Sequence, residues 1–268
     1  LKPLKALQAA LLDRAADWSE LNRKGRYFSD QVCEVVSLHT FPYIEPDTLP
    51  NDRLPLVFWG HPYDVPRLRT SPMVVHDTAY GFYLLTREVL DAGHRSIAFV
   101  APAGMSDELV EERRRGHLAA LREVGAPFYE KAFTDSRGLT LDNVWAWGEF
   151  LEEHTAQVTA CVCVSSRLSQ TVVSWADHHG LCVPEDLTVV GHMPEPMHPE
   201  NGEELLTGID YRLDTTVETC LRILEEQMNE RRSIESVVWL KPSIVHGNSL
   251  AGAPVENQRE AKRRTARC

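Results

Sequence analysis

The sequence predicts an α/β fold, parallel strands flanked by helices, on three observations. Short apolar runs of strand length recur at 97–100, 159–164, 187–190 and 237–240. Segments with apolar residues at helical spacing lie between most of them. Loops bearing glycine and proline mark the changes, as at 101–104, where Pro102 and Gly104 follow the strand at 97–100. That strand, Ile97-Ala98-Phe99-Val100, shows no polar alternation, which is the pattern of a strand covered on both faces. Strands alternating with helices then imply a parallel sheet between helical layers.

Taken in order, residues 4–22 form a helix with Leu4, Leu7, Ala10 or Leu11, and Ala15 on one face and Trp18 near its end. Residues 34–38 and 54–59 read as two strands, separated by a loop holding Pro42, Pro46 and Pro50. Residues 77–81 are a turn-like entry to a helix in which Phe82, Leu85 and Val89 recur, stopped by Asp91-Ala92-Gly93. A second helix begins near Asp107 and carries Val110, His117, Leu118 and Leu121. A strand at 128–133 and a helix at 142–154, with Asp142 as its cap, follow. Beyond the strand at 159–164, Ser165 or Ser166 caps a helix with Leu168, Val172 and Ala176 inward and Gly180 as its stop. After strands at 187–190 and 206–209 comes an amphipathic helix. Its Leu213, Val217, Leu221, Leu224 and Met228 face in, while Glu218, Arg222 and Glu226 lie outside as i,i+4 partners. Strands at 237–240 and 244–245 close the fold. Residues 251–268 are polar and end in Lys262, Arg263, Arg264 and Arg267, which reads as a flexible basic tail rather than a nucleic-acid contact.

The balance of charge narrows the function. The 268 residues are 43% hydrophobic, enough for a sizeable core, and carry a formal net charge of -11. An acidic chain is a poor match for a broad nucleic-acid surface. The longest apolar stretches, such as 158–164, fall far short of the ~20 residues of a membrane span. No cationic start followed by an apolar core is present, so no signal peptide is expected. Cys161 and Cys163 alternate along one strand and so share a face, but no second pair or His cluster completes a metal site. The six cysteines, 33, 161, 163, 182, 220 and 268, therefore read as buried free thiols in a reducing cytoplasm, with no metal or cofactor. GxSxG, Walker and HExxH motifs are absent, and His76-Asp77 is a lone His-Asp pair, so the expectation is not an enzyme.

Asp77 with Gly81, the run AGHRSIAFV at 92–100 and the run ERRRGHLAALREVGA at 112–126 resemble the effector domain of the lactose/galactose-repressor (LacI/GalR) family of bacterial regulators. GLCVPEDLTVVG at 180–191 resembles a second block of that family, and LPLVFWGHP at 54–62 resembles its fourth strand. The resemblance covers about 54–249. It implies a periplasmic-binding-protein-like type I fold: two lobes, each a parallel sheet flanked by helices, joined by three crossovers near Pro102, 209–211 and Val237. The lobes would be 1–101 with 211–236, and 102–210 with 237–250, enclosing a small ligand. The family's first strand and a helix-turn-helix headpiece are expected before Leu1 and are not found.

The same resemblance nominates a site. Arg113 stands three residues before Gly116, as the family's effector-contacting arginine precedes its own glycine, and its forked donors suit hydroxyls or an anion. The bare sequence equally allows Glu111-Glu112-Arg113-Arg114-Arg115 to be a solvated charge run. Asp77 matches the family's aspartate or caps its helix, and both roles are compatible. Trp59 and His61, ending a strand, line the cleft or, for Trp59, enter the core. Ser165, Met193 and Leu139 stand where the family usually has Asn-Asp, an acidic residue and an aromatic platform. The resemblance thus implies an effector-sensing, dimerising module of a cytoplasmic regulator. It would bind a sugar or sugar-like effector, pair as a homodimer, reach operator DNA only through the absent headpiece, and have no membrane contact. The alternative is a periplasmic sugar-binding protein of a transport system.

Overall fold

Two hydrophobic cores, each on its own sheet, organise the chain in a computed structural model that describes residues 35–38, 56–60, 72–102, 107–133, 158–192, 206–230 and 237–254. In chain order the elements are β1 (Val35–Leu38), β2 (Leu56–Gly60), β3 (Met73–His76), α1 (Thr78–Asp91), β4 (Ile97–Pro102), α2 (Asp107–Val124), β5 (Tyr129–Phe133) and β6 (Ala160–Cys163). Then come α3 (Ser166–His178), β7 (Thr188–His192), β8 (Thr207–Asp210), α4 (Leu213–Glu230), β9 (Val237–Leu240) and β10 (Ser243–Val245). The helices expected at 4–22 and 142–154 lie outside the described residues, as does 255–268.

The first unit comprises Leu1–His76 and Arg212–Leu240. Its described strands run parallel in the order β1-β2-β3-β9. Val57 and Val74 pack with Cys220, Ile223 and Leu224 of α4. Of the stripe expected on α4, Leu224 enters this core and Val217 and Leu221 are buried, while Cys220 and Ile223 are not among the expected residues. On α4's outer side Arg222 pairs with Glu226 at 2.6 Å, as the i,i+4 spacing predicts.

The second unit comprises Asp77–Tyr211 and Lys241–Cys268, with described strands in the order β10-β8-β7-β6-β4-β5. All its neighbouring strands are parallel except β10, which runs antiparallel to β8, a departure from the expected all-parallel sheet. Phe82, Leu85 and Val89 of α1 and Leu168, Val172 and Ala176 of α3 are buried against this sheet. Asp77 caps α1 by accepting a hydrogen bond from the Tyr80 amide at 2.9 Å, and Ser165 caps α3 by accepting from the Leu168 amide at 3.3 Å. Helices α1 and α2 approach so closely that a Cβ on Gly116 would stand 1.9 Å from the carbonyl oxygen of Ala79. Nothing larger than glycine fits there.

The boundaries differ from those expected. The chain leaves the first unit after His76, not near Pro102, returns at Arg212, and leaves again after Leu240, not near Val237. The cause is β3. Met-Val-Val-His is a four-residue strand, all buried, which the sequence pattern merges into the entry to α1. Without that strand, 97–100 reads as the last strand of the first lobe, whereas β4 pairs with β5 and β6 in the other sheet. Residues 251–254 also depart from a free tail. His94 Nε2 donates to the Ala251 carbonyl at 2.9 Å, and the Ala253 amide donates to the Ala92 carbonyl at 2.9 Å.

Candidate functional site

The order of strands in the second unit contains one reversal. From β4 the chain goes to β5 on one side, then crosses back to β6, β7 and β8 on the other. In open α/β sheets ligands commonly sit beyond the carboxyl ends of the strands at such a reversal, which here are those of β4 and β6.

Arg113 is built into that place. It lies on α2, whose next turn carries the close-packed Gly116, and is only 6% exposed. Its Nη1 donates to the carbonyl of Val164, the residue after β6, at 2.5 Å, and its guanidinium lies 5.7 Å from the Phe82 ring centroid. Val164 is tied in turn by its amide to the carbonyl of Val100 on β4, at 2.9 Å. Arg114 and Arg115 are different: they pair on the surface with Glu111 and Glu112. The charge run is therefore split, two arginines solvated and one buried at the switch point.

Ser165 follows Val164 directly and is half-buried, with its hydroxyl capping α3. One strand over, His192 ends β7 and packs its ring 5.0 Å from that of Tyr211, just beyond β8. The sequence nominates Met193; the structure puts its neighbour His192 beside Tyr211 at these strand ends. Asp77 is half-buried at the start of α1, and its carboxylate is taken up by the cap. His61, Leu139 and Met193 lie outside the described residues.

In the first unit the strand ends carry a separate cluster. Trp59, near the end of β2, is half-buried, and its Nε1 donates to His76 Nδ1 at 3.5 Å with the two rings edge to face. His76 Nε2 lies 2.8 Å from Thr216 Oγ1 on α4. The sequence signal for His76 is its place at the C-terminal end of a strand, legible only once β3 is recognised.

Burial keeps three cysteines and one histidine of the interior in their neutral forms. Burial pushes the thiols of Cys163 and Cys220 up to about 12, and that of Cys161 well above its usual value. At neutral pH these are protonated, poor nucleophiles. Cys182 departs from the expected burial and is exposed. Burial holds His117 down to about 3, so it is a neutral core residue, stacked on Phe99. Among the described residues no group of three or more His, Cys, Asp or Glu side chains stands in a metal-binding arrangement. No helix among them is long and apolar enough to cross a membrane.

The chain is thus built as two α/β units linked by three crossings. The chain belongs to the periplasmic binding protein-like family, whose profile matches residues 86–250, more than half of it. Among its relatives is the HTH-type transcriptional repressor PurR of Yersinia pestis, 24% identical over 186 residues, which are 69% of this chain and 54% of the relative. The chain thus spans about half the length of the relatives it matches. Among solved structures it is similar to a transcriptional regulator CelR-cellobiose complex, with a TM-score of 0.64 and 23% identity, covering 85% of this chain and 69% of that one. A LacI family regulator of Enterococcus faecium with bound ribose gives a TM-score of 0.59 and 18% identity, covering 74% and 71%. The resemblance to LacI/GalR effector domains is thus borne out, and these structures share the fold.

Proposed function

We propose that the chain is the effector-sensing and dimerising part of a LacI/GalR-type transcription regulator of the bacterial cytoplasm. It binds a sugar or sugar-like molecule at its strand ends and so governs operator binding by a helix-turn-helix headpiece outside the 268 residues. It catalyses no reaction. The observation that carries this reading is Arg113, drawn out of a surface charge run and held at the β4/β6 reversal by the Val164 carbonyl and the Phe82 ring. A guanidinium costs free energy to bury and is retained where its fork meets a polar partner. Ser165 and the His192–Tyr211 pair supply further hydroxyl and aromatic contacts, and Trp59 remains a proposed stacking contact from the resemblance. His61, Leu139 and Met193 remain proposed contacts from the resemblance, and Asp77 a capping residue with a contact role. The sugars of the ribose- and cellobiose-bound neighbours, and the repressor role of PurR, support this class of effector and this use. Buried thiols favour a reducing compartment over the periplasmic alternative.

Mechanism follows by linkage. A small molecule that prefers one arrangement of the regulator shifts the population toward it by its difference in affinity, and the spacing of paired headpieces changes with it. The test is a thermal-shift screen of sugars, sugar phosphates and nucleosides on the purified chain. A sugar-class compound that raises Tm in proportion to the logarithm of its concentration supports the reading. No shift from any of the three classes at millimolar concentrations would count against it.

A further inference from the structure

We propose that Trp59, His76, Thr216 and the Arg212 carbonyl form a one-way hydrogen-bond relay that positions the Trp59 indole and ties it to the return of the chain into the first unit. The relay rests on the proposed function, in which Trp59 offers a stacking face to the sugar.

The direction of every bond is forced. An indole N–H only donates, so His76 Nδ1 accepts from Trp59 Nε1 at 3.5 Å. At the far end, Thr216 Oγ1 donates to the Arg212 carbonyl at 3.2 Å, which uses the hydroxyl's only proton. The hydroxyl therefore accepts from His76, and His76 carries its proton on Nε2, 2.8 Å away. The neutral Nε2–H tautomer satisfies each member. The other tautomer would set an N–H against the indole N–H and a lone pair against a committed hydroxyl. Thr216 is fully buried and His76 nearly so, which leaves water little access to repair a break.

The relay ends at an unusual residue. Arg212 has φ 53°, the left-handed region that residues with a Cβ enter at a cost, and it is the non-glycine described residue that does so. Its carbonyl also accepts the Thr216 amide at 3.0 Å, in the first turn of α4. Thr216 thus holds Arg212 by two bonds and His76 by one. His76 acts through Trp59 and is a positioning residue. A change in the indole's pose is felt through His76 and Thr216 at the residue where the chain re-enters the unit.

The test uses the ¹⁵N-labelled chain without added sugar, so its outcome does not depend on whether a sugar binds. Long-range ¹⁵N–¹H spectra read the His76 tautomer, and hydrogen exchange reads the Trp59 indole N–H and the Thr216 amide. The parent is expected to show the Nε2–H tautomer. Thr216→Val, which keeps shape and removes the hydroxyl, should speed indole exchange about tenfold. Trp59→Phe, which keeps a ring and removes the donor, should speed Thr216 amide exchange at least about threefold. Thr216→Ser restores the hydroxyl and should match the parent. Thr219→Val should match it too, since the Thr219 hydroxyl bonds the turn below, at the Thr215 carbonyl. An Nδ1–H tautomer in the parent, or indole exchange in Thr216→Val within about twofold of the parent, would overturn the relay. Equal Thr216 amide exchange in Trp59→Phe and the parent would overturn the coupling. Should Thr216→Val fail to fold, the parent's tautomer and the Thr216→Ser comparison decide.

Discussion

At the scale of single residues, burial decides which of several like groups carries a role. Arg113, Arg114 and Arg115 are indistinguishable by type, and only Arg113 is enclosed. With a sugar or sugar phosphate found by thermal shift, Arg113→Ala should weaken binding about ten- to a hundredfold, since hydrogen bonds to charged groups are worth about 1.5–3 kcal/mol. Arg114→Ala and Arg115→Ala should change affinity less than about twofold, their surface pairs being worth little. Calorimetry on the three folded variants checks this, and parent-like affinity for Arg113→Ala would return it to the charge run. Sequence alone leaves that choice open, because α2's spacing shows a face but not the close approach of α1 that tucks Arg113 under Val164. His117 gives a second prediction. Thr86 donates its hydroxyl proton to the Phe82 carbonyl, so it accepts from His117 Nδ1–H, leaving Nε2 a buried lone pair. The native state resists protonation down to about pH 3, while the unfolded chain takes the proton near its ordinary 6.5. Stability from this group is therefore full above pH 6.5 and is lost as pH falls, at about 1.4 kcal/mol per pH unit. Urea midpoints at pH 7, 6 and 5 should fall more steeply for the parent than for His117→Phe; parallel slopes would contradict the assignment.

Among elements, the helices are the most legible in the sequence and the shortest strands the least. The spacing of Phe82, Leu85 and Val89, and of Val217, Leu221 and Leu224, is enough to orient α1 and α4, because a helix repeats its apolar face over several turns. A strand such as β3 offers four residues and no repeat, and its neighbours lie far away in sequence, at 56–60 and 237–240. That one omission moves the first crossing by some two dozen residues and hides His76 from the site. The relay with Trp59 and Thr216 joins three elements from both ends of the chain, which no local pattern encodes. Packing between α1 and α2 gives a prediction of its own. Gly116→Ala gains helix propensity of about 1 kcal/mol but drives a methyl into the Ala79 carbonyl, and overpacking of backbone costs about 1–3 kcal/mol or more. The net expectation is a lower Tm and, because Arg113 is on the same helix, weaker sugar binding. Gly125→Ala has open space around it but a φ of 64°, so it should cost about 1–2 kcal/mol of stability and leave binding unchanged. A Gly116→Ala chain as stable as the parent would show that the two helices part at no cost.

At the scale of the whole molecule, net charge and exposed apolar surface make separate predictions. A charge of -11 opposes the counterion release that drives duplex binding, so this chain alone should give no sequence-specific gel shift. Self-association is the other case. The outward faces of α1 and α4 carry charged pairs, Arg87 with Asp91 and Glu123, and Arg222 with Glu226. Beside α4, however, β9 lies at the edge of the described first sheet and leaves Trp239 52% and Val237 37% exposed on one face. Large apolar side chains left together in water on one strand are the feature that pairing would bury. A homodimer covering at least the ~1,200 Å² of a specific interface is expected, with Trp239 inside it as a rigid aromatic anchor. Light scattering at tens of micromolar should then give a mass near twice 30.3 kDa. Trp239→Glu should shift it toward the monomer, since an unpaired carboxylate in the interface must be dehydrated. The β9 backbone and the inward Val238 and Leu240 are untouched by that change, so the folded state should survive it, and circular dichroism checks that it does. A parent that scatters as a monomer would remove the dimer from the proposed function, whereas a dimer unmoved by Trp239→Glu would place the interface on another face.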